Sequence, residues 1–207
     1  MAPLDRVMVL RISAFCGVVG PLITLSLILV AVSCSPWFSW TGNYLSDLGI
    51  DPNVAVLFNS GLIVGGALTV IFAIGLKRTL PGLTRGGLGA IAIVLGSAAL
   101  CCVGIFPETT GAVHDSFALL FFILSIIALV LIGSAMMQEP AVRNLGLFIF
   151  TAGLLICAAV IAFIVMLIEV PHAGGAIPEF ISSLAASMCF VILAVRLFRQ
   201  APHQVRD

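Results

Sequence analysis

Six long apolar runs dominate this chain, at residues 12 to 34, 54 to 76, 86 to 106, 115 to 136, 145 to 168 and 177 to 198. Each is close to the roughly 20 residues that an α-helix needs to cross the hydrocarbon layer of a bilayer. No water is available there to bond with backbone N–H and C=O groups, so each run must satisfy them internally, as a helix does. The expected fold is all-α, a polytopic bundle of six transmembrane helices. The runs and their short connections occupy nearly all of the 207 residues, so one membrane domain, 1–207, is expected.

Charge sets the expected orientation. Threading the runs alternately puts Arg6, Arg11, Lys77, Arg78, Arg85, Arg143, Arg196, Arg199 and Arg206 on one face. By the positive-inside rule that face, and with it both termini, is cytoplasmic, and the expected location is the cell membrane. The opposite face receives Asp47, Asp51, Glu108, Asp115, Glu169 and Glu179 with His114 and His172, leaving Asp5, Glu139 and Asp207 inside. Charged residues make up only 9% of the chain and the mean hydropathy is +1.27, which excludes a soluble globular class. Membrane lipids are the expected partners, the inner cations lying against anionic headgroups, and nucleic acid is not expected. Protein partners stay open. No charged residue lies near the middle of any run, where ion pathways usually place one.

The basic connections, with Pro81, Gly82 and Pro140, mark clean helix breaks, and their shortness makes consecutive helices antiparallel. Gly61 with Gly65, Ala92 with Gly96, and Gly146 with Gly153 suit close helix approach. The six cysteines, all within or at the ends of apolar runs, read as small core residues, and no disulfide is expected. The segment from Pro107 to Asp115 aligns without gaps with that from Pro171 to Glu179, although shared helix-break grammar explains the likeness as well as duplication does.

The candidate site is the polar cluster on the outer face. A short loop holds Glu108, His114 and Asp115 together; Glu169, His172 and Glu179 form a second set, and Ser46 and Asp47 precede the second helix. Asp115 and Glu179 also suit a first helical turn, where a carboxylate meets the positive end of the helix dipole, and Asp47 suits a turn it organises through the backbone. Glu179, Ser183 and Ser187 recur every fourth residue as a polar stripe on the sixth helix, and Asn59 enters the second helix similarly. Trp37, Trp40 and Tyr44 suit the membrane interface. His114, His172 and Asp47 offer a possible zinc set, one carboxylate and two imidazoles with an open water position, though their spacing is no recognised metal motif. The residues call for no cofactor otherwise.

Three stretches complete the reading: Gly42-Asn43-Tyr44-Leu45-Ser46-Asp47-Leu48-Gly49, Phe58-Asn59-Ser60-Gly61-Leu62, and Gly104-Ile105-Phe106-Pro107-Glu108 with His114. Together they resemble the membrane family called domain of unknown function 998, whose prokaryotic members are six-helix proteins with a Ser-Asp-Leu-Gly element before the second helix. More distantly the chain is similar to the Frag1/DRAM/Sfk1 group, which is associated with lipid and membrane homeostasis. The resemblance implies that Ser46, Asp47, Asn59, Pro107, Glu108 and His114 are family-typical positions. It does not extend to His172 or Glu179, and it implies no reaction. The leading expectation is a protein that binds lipid or headgroup at Ser46, Asp47, Asn59, Glu108, His114, Asp115, His172 and Glu179. A metal-dependent hydrolase acting on a lipid and a carrier for a small neutral substrate are the alternatives, and whether the protein is an enzyme stays open.

Overall fold

A computed structural model describes residues 3–80, 84–169 and 174–201. The regular structure of the described residues is all helical, without a strand: α1 (Pro3–Ser33), α2 (Ala55–Thr79), α3 (Arg85–Ile105), α4 (Ala112–Met136), α5 (Arg143–Glu169) and α6 (Ala176–Gln200). Three short 3-10 turns, Leu45–Gly49, Glu108–Thr110 and Pro140–Val142, lie between them. All six helices contain a span long and apolar enough to cross a membrane, which makes this a multi-pass membrane protein.

The helices follow the apolar runs to within three residues at every end except one. α1 begins at Pro3 rather than at residue 12, because its charged first turns still pack: Leu10 is buried and the Arg11 guanidinium lies 5.5 Å from the Phe198 ring centroid on α6. At 31 residues α1 is about 46 Å long, so its charged start stands beyond a hydrocarbon layer of roughly 30 Å. The basic side chains share that end of the bundle, with Arg6 beside Arg78 and Arg85 facing the same hollow as Arg196. Asp5 and Glu139 share that end, and the carboxylates Glu108, Asp115 and Glu179 lie at the other.

Consecutive helices pack side by side and α1 closes the ring against α6. The closure is uneven: α5 leans on α4 and touches α6 much less, and it is the least buried of the six. The main core, built around Leu10, Phe72, Ile93, Leu129, Ile132, Ile149, Leu193 and Leu197, fills the basic half. A second cluster of Ile28, Leu45, Leu48, Phe58, Leu62 and Val103 closes the other end beneath the 3-10 turn Leu45–Gly49. Leu48 is fully buried there, so this turn acts as an apolar cork.

The small-residue pairs sit at contacts within the chain. Gly61 faces Leu27 of α1, Gly96 faces Leu124 of α4, and Gly146 and Gly153 face α4 as well. Gly65 is the tightest approach to α1: a Cβ there would stand 2.8 Å from the Gly20 carbonyl oxygen and collide with the Thr24 hydroxyl. That hydroxyl bonds the Gly61 carbonyl at 3.1 Å, so it cannot turn away without leaving an unmet donor. Gly65→Ala is expected to destabilise by about 1–3 kcal/mol, the usual cost of overpacking. Thermal unfolding in detergent checks this, with Gly42→Ala, where the nearest atom would lie at 3.4 Å, as the tolerated control.

Candidate functional site

The segment between α1 and α2 leaves regular structure near the edge of the apolar layer, so its backbone groups need partners from elsewhere. Side chains provide them. Asp47 Oδ2 accepts from Asn43 Nδ2 at 2.7 Å and from the Tyr44 N–H at 3.0 Å. Asn59 Nδ2, from α2, donates to the Gly49 carbonyl at 2.9 Å. Glu179 Oε2, from α6, accepts the Leu45 N–H at 2.8 Å. The chain entering α6 adds two backbone bonds: Gly174 N–H to Thr41 O at 3.0 Å and Ala176 N–H to Asn43 O at 2.9 Å. A Cβ on Gly174 would lie 2.5 Å from the Asn43 carbonyl oxygen, so only glycine admits this approach.

The second hairpin supplies the other wall. Gly111, at φ 58°, ends the turn that carries Glu108 and lets α4 begin at Ala112. This places His114 in the first turn of α4 with 5% of its surface exposed. Its Nδ1 is 2.8 Å from the Phe106 carbonyl oxygen. A carbonyl can only accept, so Nδ1 carries a proton, and in the ring's neutral form Nε2 is the acceptor. The same bond satisfies a carbonyl left over at the C-terminus of α3.

Between these walls and α5 lies a cavity of about 460 Å³. Tyr44, Ser46, Glu108, His114, Asp115, Glu179 and Ser182 form its polar part, and Ala118, Leu119, Phe122, Val160, Phe163, Ile164 and Pro178 its apolar part. Burial holds the Glu108 carboxyl above the ordinary glutamate range, Asp47 beside it pushes the same way, and a Ser46 hydrogen bond and His114 partly offset both. Tyr44 is also raised, first by burial and then by Glu179, Glu108, Asp47 and Asp115. Among the described residues two side-chain polar atoms, Glu108 Oε2 and Ser182 Oγ, are buried without a hydrogen-bond partner.

Of the residues expected at the site, Ser46, Glu108, His114, Asp115 and Glu179 line this one cavity. Asp47 stands behind Glu108 and Asn59 braces the Gly49 carbonyl; neither lines the cavity. Their bonds explain the Ser-Asp-Leu-Gly motif as a folding element. Glu169 is exposed at the end of α5. His172 lies outside the described residues, and with it the zinc set; among the described residues no three His, Cys, Asp or Glu side chains are grouped to hold a metal. Ser183 and Ser187, read as a stripe below Glu179, face small central voids of about 60 and 40 Å³ instead. Ser182 takes the cavity position, because residues three and four apart straddle one helix face. Trp40 packs on Phe180 and Tyr44 against Phe163, so of Trp37, Trp40 and Tyr44 only Trp37 is exposed. The α5 wall carried no polar signal that could have revealed it.

The family model described as "Protein of unknown function (DUF998)" matches residues 18–196, so the chain belongs to that family. No curated protein and no solved structure matches it.

The Glu108 environment has a consequence for stability. Its carboxyl holds a proton to higher pH in the folded chain than in the unfolded one. Between those two values the folded state binds more protons, so this contribution to stability falls as pH rises. Asp47, His114 and Glu179 are the charged or ionisable side chains that act on it. Thermal midpoints are expected to decline as pH rises above the ordinary glutamate range, and to decline less in Glu108→Gln.

Proposed function

We propose that this protein binds an amphiphilic lipid at the extracytoplasmic face of the cell membrane, with the headgroup against Ser46, Glu108, His114 and Glu179. The supporting observation is the two-part lining of one cavity, which joins polar groups of the loop, α4 and α6 to the apolar side chains Phe122, Val160, Phe163 and Ile164. A molecule with one polar and one hydrocarbon end matches that lining. The volume falls within the roughly 300–1,000 Å³ of small-molecule sites. The cavity lies on the seam where α5 and α6 pack least, and Leu119 and Ile164 in its wall are also exposed on the outside of the bundle. A hydrocarbon chain reaches the polar groups from the membrane along that seam.

The orientation rests on the basic residues at the opposite end, which the positive-inside rule assigns to the cytoplasm. A hydrolytic reading draws on one observation, the acceptor Nε2 of buried His114 in the cavity wall, which suits a general base. Release of a product from bound lipid would favour it. A carrier has less support, because between this cavity and the hollow of about 650 Å³ at the basic end the voids narrow to about 60 and 40 Å³ among Leu62, Leu100, Phe121 and Phe190.

Two measurements test this reading. Ala118 lines the cavity, so Ala118→Phe is expected to fill it and to lower retained lipid, measured by native mass spectrometry after detergent exchange, by about tenfold. Equal retention in the variant and the wild type would overturn the proposal. Cys34 is exposed at the carboxylate end, so a membrane-impermeant thiol reagent applied to intact cells is expected to label it; labelling only after lysis would reverse the orientation.

A further inference from the structure

The cavity's polar part contains no Lys or Arg: three carboxylates, Glu108, Asp115 and Glu179, line it with the single imidazole of His114, and Asp47 stands directly behind. Among the described residues every Lys and Arg belongs to the other end of the bundle. A phosphate or carboxylate headgroup would meet a surplus of like charge there. The acids alone would identify nothing, since Asp47 and Glu179 have folding roles and Asp115 a favourable helix position.

Ser182 adds an independent observation. It is 2% exposed, it lines the cavity, and its hydroxyl has no partner. Other helical hydroxyls in this protein turn back onto a carbonyl three or four residues earlier, as Ser60, Thr69, Ser116, Ser134 and Thr151 do. A buried hydroxyl without a partner is costly, so its place in the cavity wall calls for a polar occupant. Glu108 Oε2 is buried and unpartnered in the same wall, and the neutral form of His114 offers Nε2 as an acceptor.

We propose that the headgroup bound in this cavity is a protonated primary amine on a long hydrocarbon chain, held by Glu108, His114 and Ser182. This rests on the lipid-binding reading and adds the class of ligand. An ammonium group has three N–H donors and no acceptor, which complements Glu108 Oε2, His114 Nε2 and Ser182 Oγ. Its charge compensates the half-buried Glu108, whose ionised form is otherwise costly beside Asp47. A bare divalent cation fits less well, because among the described residues no three suitable ligands are grouped. A quaternary ammonium carries charge but cannot donate, and would leave all three acceptors unmet.

The test uses the full chain in nanodiscs and five single-chain probes of equal length: dodecylamine, dodecyltrimethylammonium, dodecanol, dodecanoate and dodecyl phosphate, each below its micellar concentration. Binding specific to the cavity is the part lost in Ala118→Phe. The amine is expected to bind about tenfold or more tightly than the alcohol or the trimethylammonium, and the two anions weakest. Glu108→Gln is expected to bring the amine down to the level of the alcohol while leaving the alcohol unchanged, and Ser182→Ala to weaken the amine with little effect on the trimethylammonium. Equal binding of amine and alcohol, or of amine and trimethylammonium, would overturn the amine assignment while leaving lipid binding intact, as would tighter binding of an anion. No cavity-specific binding of any probe would overturn both readings.

Discussion

Backbone polar groups that leave a helix at the edge of an apolar layer must still be bonded, and this constraint organises the carboxylate end of the protein. The segment between α1 and α2 has no strand partner, and side chains of its own and of two helices satisfy it: Asp47 within the turn, Asn59 from α2 and Glu179 from α6. Glu179, on the last helix, is bonded to the first loop of the chain. Leu45 and Leu48 follow into the gap and close it with apolar bulk. Polar bonds thus set where the turn lies, and burial of its leucines holds it there.

The cavity follows from the way packing is distributed. In the basic half, large side chains from all six helices interdigitate. In the other half the cork occupies the space among α1, α2, α3 and α6, and α5 is left leaning on α4. The gap beside α6 opens where Glu108, His114 and Glu179 have already been gathered for other reasons. Glu108 is the group that gains least from the fold: it is partly buried, pressed against Asp47, and leaves one oxygen without a partner. Ser182 is the second such group. Groups that a fold buries without satisfying are natural places for a ligand to act.

The motif Ser46-Asp47-Leu48-Gly49 separates into two roles once the geometry is known. Asp47 and the Gly49 carbonyl are bonded within the fold, whereas Ser46 faces the cavity and Glu108. A sequence pattern marks both kinds of residue alike, because structural and ligand-facing polar groups draw on the same few side chains. The two aligned hairpin segments show the same ambiguity. Ala112 and Ala176 each open a helix, and the acid three residues later, Asp115 or Glu179, lines the same cavity in both cases. Only Glu179, however, is bonded across to the loop at Leu45.

Helix number, helix extent and the separation of basic from acidic ends were legible in the sequence. They depend on local properties, the length of an apolar run and the positions of charges along it, and the lipid-like environment imposes them on each segment separately. Proximity of Glu108, His114 and Asp115 was legible for the same reason, because one short loop joins them. What the tertiary structure decided is which neighbours share a space: that Glu179 meets Leu45, that Ser182 rather than Ser183 faces the cavity, and that Val160, Phe163 and Ile164 form its far wall. Those relations depend on the rotation of each helix about its axis and on the uneven closure of the ring. Both are settled by side-chain packing between segments far apart in the chain, which no pattern within one segment records.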